Sequence, residues 1–165
     1  MSRSVILAMV LLCGAVASAQ VPAGATATPS VEQLINTRRF DDAKPAIDAM
    51  LARNAKDPAA MYLMGRLTYA QGNSGTAVDW FEKAVHGDDA NATYHLWLGN
   101  ALGDEAQKAS KFRQPFLARR VKNEFERAVA LDPRSVLARQ GLVDFYSIAP
   151  GIMGGDMNKA RLQAD

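Results

Sequence analysis

One helical pattern is written twice in this chain, out of step, and that limits the folds open to it more than any other feature. Met61-x2-Met64-Gly65-x2-Thr68, then Ala77-x3-Phe81-x2-Ala84, is followed by His95-x2-Leu98-Gly99-x2-Leu102, then Val121-x3-Phe125-x2-Ala128 and Pro133. Gly65 and Gly99 are 34 residues apart, whereas Phe81 and Phe125 are 44 apart. The second copy therefore holds ten extra residues in its middle. A period near 34 with small residues at fixed places predicts stacked helical hairpins, because one hairpin cannot bury its apolar face alone.

Four hairpins are expected, at about 30–57, 58–89, 90–132 and 133–165, the last incomplete. In the first, Ser30 caps a short helix carrying Val31, Leu34 and Ile35. Asp41-Asp42 start its return helix, with Ala43, Ile47, Met50 and Leu51 on one face. Pro58 opens the second hairpin, and Gly72-Asn73-Ser74-Gly75 supplies a turn rich in residues that tolerate positive φ. Ala77, Val78, Phe81, Ala84 and Val85 share a face of the return helix. In the third, helical rhythm from Leu98 runs on to Ala109, and Pro115 suits a first helical turn. Five extra residues on each helix would project this hairpin roughly 7–8 Å past its neighbours. In the fourth, Leu137, Leu142, Phe145 and Tyr146 form one face. Pro150 then breaks the helix, and Asp156 caps another from near Met157 that places Ala160 and Ala164 at small-residue slots.

The ends bound the class. Arg3, an apolar Val5–Val16 run too short to span a bilayer, and Ala17-Ser18-Ala19 predict a signal peptide over 1–19. Gln20–Pro29 has no periodicity and is expected to be a flexible lead-in. Cleavage would remove the single cysteine, leaving 146 residues, enough for one domain, with 18 basic and 17 acidic side chains. That balance makes no field to attract nucleic acid or a membrane surface. Periplasmic export is expected, with no membrane association after cleavage. The final helix reaches Asp165 without the polar cap that a solenoid end needs. Either the sequence belongs to a longer protein or a partner covers that end.

On Leu98, Gly99, Phe125, Ala128 and Pro133, with Gly65, Ala77, Phe81 and Ala84, the chain resembles tetratricopeptide repeat proteins. It departs from the family pattern at Asp89 (usually Pro), Met61 and His95 (usually Trp) and Val143 (usually Gly). The stretch Tyr94–Gly99, the long third hairpin and the Pro150–Gly155 loop are similar to an exported bacterial subgroup, a likeness that supplies no reaction. The resemblance implies an all-α fold of antiparallel helical hairpins stacked as a short right-handed solenoid, with Gly65 facing Ala77. It also implies a non-catalytic scaffold or adaptor that holds an unidentified protein or peptide in a groove lined by the first helix of each hairpin. By position the groove would present Ala59, Tyr62, Arg66 and Tyr69, then Thr93, Leu96, Asn100 and Gly103, then Gln140, Asp144 and Ser147. Tyr62 and Tyr69 would be its anchors, as aromatics dominate interface energies, or would pack against the neighbouring hairpin. The alternative role is a subunit stacked within a larger envelope assembly.

The remaining motifs have bland readings beside sharper ones. His86 and His95 are nine apart with Asp88 and Asp89 between them, a poor match to zinc spacing, and are read as surface or core histidines. No nucleophile, metal or phosphate motif stands out, so neither enzyme activity nor a cofactor is expected. Gly151–Gly155 before a helix invites a phosphate reading, but Asp156 opposes it, and a wide turn around Ile152 and Met153 is favoured. Lys108, Lys111, Phe112, Arg113, Phe116, Arg119, Arg120 and Lys122 gather at the long hairpin's tip. Such a mixture binds nucleic acid or anionic lipid in some proteins. A solvated tip with Phe112 folded onto its partner helix is preferred. Asn91-Ala92-Thr93 is read as a helix N-cap rather than a sequon.

Overall fold

A computed structural model describes residues 29–164 of the chain. The expected signal peptide lies outside the described residues, as does the expected lead-in apart from Pro29. The helices run α1 (Val31–Asn36), α2 (Phe40–Arg53), α3 (Pro58–Ala70), α4 (Ser74–Gly87), α5 (Ala92–Lys108), α6 (Gln114–Leu131), α7 (Val136–Ile148) and α8 (Met157–Ala164). A single 3-10 turn, Gly151–Met153, precedes α8.

Helix starts follow local chemistry. Ser30 and Gln33 form a reciprocal capping box on α1. Asp57, Asn91, Ser135 and Asp156 cap α3, α5, α7 and α8 with side-chain acceptors. Pro58 and Pro115 occupy first turns, where a missing N–H leaves no bond unmade. The turn after α3 passes through Gly72 at φ +86, a left-handed conformation that disfavours side chains.

Packing makes the pairs a stack. Each helix packs on its chain neighbours, and α1 on α3, α3 on α5 and α5 on α7 also touch. Among the described residues the return helices α2, α4, α6 and α8 make no close backbone approach to one another, and the Arg120–Glu82 side-chain pair bridges α4 and α6. The first helices therefore crowd the inner, concave side, and the return helices splay on the outer one. Contact restricted to adjacent hairpins is the organisation of a solenoid.

Aromatic rings wedge into glycines within this stack. A Cβ on Gly65 would sit 2.5 Å from the Phe81 ring, and one on Gly99 would sit 2.8 Å from Phe125. The small slot at Gly65 thus admits Phe81, not Ala77 as expected. Ile35, Ile47 and Leu67 fill a smaller core under α1–α3, while Phe81, Leu98, Leu102, Phe125 and Leu142 belong to the larger one.

The structure departs from expectation in four places. The ten extra residues of the third hairpin divide as four on each helix and two in the turn, since α5 and α6 have 17 and 18 residues against 13 and 14 in α3 and α4. The projection is accordingly about 6 Å, at 1.5 Å per residue. Leu137 is exposed, because α7 starts at Val136 and its inward face begins at Ala138. Ala164 is exposed as well. Ile152 is 94% exposed, so the glycine-rich turn does not fold around it. Gly155 is required there because a Cβ would lie 1.8 Å from the Ala149 carbonyl oxygen, and Gly154 has φ +99.

Candidate protein-binding groove

The junction of the second and third hairpins is filled by the chain's own side chains. Arg66 sits 3.8 Å from the centroid of the Trp97 ring. Its guanidinium donates to the Tyr62 hydroxyl at 2.8 Å and to Asn36 Oδ1 at 2.9 Å, and Glu32 lies 3.8 Å away. Tyr69 meets Trp97 edge-on at 5.7 Å, and Tyr62 stacks on Tyr94 at 5.1 Å. Burial and the Asp104 carboxylate push the Tyr69 hydroxyl up to about 12. Burial also raises the Tyr62 and Tyr94 hydroxyls.

This packing corrects the expected anchors. Tyr62 is only 7% exposed and Leu96 is 6% exposed, so neither presents a surface to a partner. Arg66 is held by four neighbours and knits hairpins together instead. Tyr69 remains half-buried at the edge of open space. Gln140 is exposed and donates to Asp144 at 2.8 Å, so these two pair with each other on α7.

The next junction is open. Between α5, α6 and α7 lies a cleft of about 490 Å³, within the range of ligand pockets. It brings together four of the expected groove residues: Tyr69, Asn100, Gly103 and Asp144. Phe125, Phe145, Val121 and Ile148 give it apolar walls, and Asp104 and Asp144 give it two carboxylates. Gly99 and Gly141 both press on the Phe125 ring, with built Cβ distances of 2.8 and 2.6 Å. No Lys, Arg or His is in the lining among the described residues. Reading each hairpin separately misses this cleft. Comparing equivalent positions of adjacent hairpins would have flagged Gly103 and Gly141 as small.

The long hairpin's tip is partly tied down. Lys108 donates to Ser74 and Glu105, and Arg120 pairs with Glu82. Ser74 donates to Glu105 at 2.5 Å, which with Lys108 holds the Glu105 carboxyl below the usual range. Lys111, Arg113 and Arg119 are exposed. Phe112 is 90% exposed and Phe116 75%, so Phe112 does not fold onto the partner helix as expected. His95 is a core residue, with ring nitrogens 2.7 Å from Glu124 Oε2 and 3.0 Å from the Asp89 carbonyl. His86 is exposed. No cluster of three or more His, Cys, Asp or Glu suited to a metal occurs among the described residues.

The concave lining, the glycine–phenylalanine wedges and the four helix pairs point to one repeat type. Residues 33–93 match the tetratricopeptide repeat family model. That segment runs from α1 into the start of α5, and over it the chain is similar to tetratricopeptide repeat proteins. No curated protein matches the chain. Tetratricopeptide repeats generally mediate protein–protein interaction and are typically non-enzymatic. The fold of the described residues is all-helical and agrees with such a helical-hairpin solenoid.

Proposed function

We propose that this chain is a non-catalytic scaffold of the cell envelope that binds a protein or peptide along its concave face. The single observation that carries this is the open, mostly apolar cleft on the first-helix side, beside a junction sealed by Arg66 and Trp97. A polar-rimmed apolar concavity loses water favourably to a partner's side chains. Export to the periplasm rests on the Arg3, Val5–Val16 and Ala17-Ser18-Ala19 pattern.

A photo-reactive side chain placed at Gln140, inside, is compared with one at Lys83, outside on α4. The scaffold reading expects discrete cross-linked products from Gln140 alone, in cells producing the full chain. Equal products from both positions would remove the groove assignment. Cell fractionation checks the location, and retention in the cytoplasm would remove the export assignment.

The stacking alternative draws on Met157 and Leu162 of α8, which are 56% and 72% exposed. Light scattering on the purified chain separates the two readings. Self-association abolished by Leu162→Glu favours stacking, and a monomer favours the open scaffold.

A further inference from the structure

The sealed and open junctions are the same place in successive repeats. With Gly65 and Gly99 in register, Arg66 and Tyr69 of α3 correspond to Asn100 and Gly103 of α5. With Phe81 and Phe125 in register, Trp97 of α5 corresponds to Gly141 of α7. The three side chains that fill the first junction are thus all smaller at the second. In the first, an indole lies over Phe81 with ring centroids 6.3 Å apart, and a guanidinium covers it at 3.8 Å. In the second, the Phe125 ring has moved onto the Gly141 backbone, and space remains above it. Phe145, which stands where Ala101 stands one repeat earlier, walls that space without closing it. A Cβ added to Gly103 would meet nothing within 4 Å.

We propose that this cleft receives an aromatic side chain of a partner peptide, with a basic residue beside it. The inference rests on the scaffold reading above and names the chemistry of its partner. The aromatic ring stacks against Phe125 and Ile148, in the role that Trp97 plays against Phe81. The basic residue answers Asp104 and Asp144, which stand at the cleft without a cation in its lining among the described residues. Around Trp97 the cation is the chain's own Arg66. At the open junction its equivalent is Asn100, so the positive charge comes from the partner. An aromatic held in a desolvated pocket with a paired cation is the usual composition of a binding hot spot.

The test uses the full mature chain and a synthetic peptide, Gly-Ser-Trp-Arg-Ser-Gly, titrated calorimetrically. The peptide is expected to bind. Replacing its Trp by Ala, or its Arg by Glu, is expected to weaken binding about tenfold, the usual loss for a hot-spot contact. Gly103→Tyr, which copies Tyr69 into the vacant position, is expected to weaken binding at least as much. Its melting temperature is expected to be no lower than wild type, because it removes a helical glycine into open space. A peptide that does not bind, or binds wild type and a folded Gly103→Tyr chain equally, overturns the proposal. So does N-acetyltryptophanamide binding as tightly as the peptide, which would make the cleft a small-molecule site. Cross-linking at Gln140, outside the cleft lining, reports separately on the scaffold reading and stands whichever way the peptide result falls.

Discussion

Gly65→Ala and Gly103→Ala are the same change in two first helices, and the structure gives them opposite signs. Each removes a helical glycine, which by itself favours the helix by about 1 kcal/mol. At Gly103 nothing lies within 4 Å of the new Cβ, so a gain of about 0.5–1 kcal/mol is expected. At Gly65 the Cβ would stand 2.5 and 2.6 Å from two carbons of the Phe81 ring. That ring is fully buried, with Tyr62 and Trp97 rings at 6.1 and 6.3 Å, and has nowhere to retreat. Overpacking costs typically about 1–3 kcal/mol and lies toward the upper end for an immobile ring. The net expectation at Gly65 is a loss of about 1–2 kcal/mol. The two variants then differ by about 1.5–3 kcal/mol, or roughly 1 M in urea midpoint for an m-value near 2 kcal/mol/M. Urea unfolding followed by far-ultraviolet circular dichroism measures this directly. In a Phe81→Leu background the Gly65→Ala loss should shrink, since the ring edge it strikes is gone. Shifts of the same sign and size at the two glycines would refute the wedge argument.

Three further outcomes are expected. Arg66→Lys should lower stability by about 1–2 kcal/mol, because lysine keeps the charge but loses the planar stack on Trp97 and the fork to Tyr62 and Asn36; an unchanged urea midpoint would contradict this. Tyr69 and Tyr146 are pushed up to about 12, by burial and by Asp104 and Glu126 respectively. The native chain holds these protons more tightly than the unfolded one, so stability is full below pH 10 and falls as pH climbs from 10 toward about 12. Tyrosinate absorbance should therefore rise together with loss of helix rather than before it. For Glu105, whose carboxyl is lowered chiefly by the Ser74 hydroxyl, the sign reverses. Its contribution is present above the ordinary value of 4.5 and is lost as pH falls through the lower native value. Ser74→Ala should cost about 1 kcal/mol at neutral pH and flatten that acid limb in pH-dependent melting.

Helix ends were legible because they depend on neighbours three or four residues away. Ser30, Pro58, Gly72, Pro115 and Asp156 each act within one turn of chain. Inward faces at Ile47, Leu98 and Leu142 were legible from helical periodicity for the same reason. What a face meets was not. Periodicity gives no means of telling whether Gly65 admits Ala77 or Phe81, since both lie on the return helix one turn apart. Nor does it say that Tyr62 stacks on Tyr94 while the side chains of Phe112 and Ile152 stand in solvent.

The sequence by itself determined the repeat, its register and the hairpin that carries ten extra residues, because the spacing of small and large side chains is a one-dimensional property. The tertiary structure decided which part of the groove is available. Tyr62, Arg66 and Trp97 satisfy one another across a junction, whereas Asn100, Gly103 and Gly141 leave its successor open. A vacancy belongs to no single residue. It exists only once three successive helices have been packed side by side.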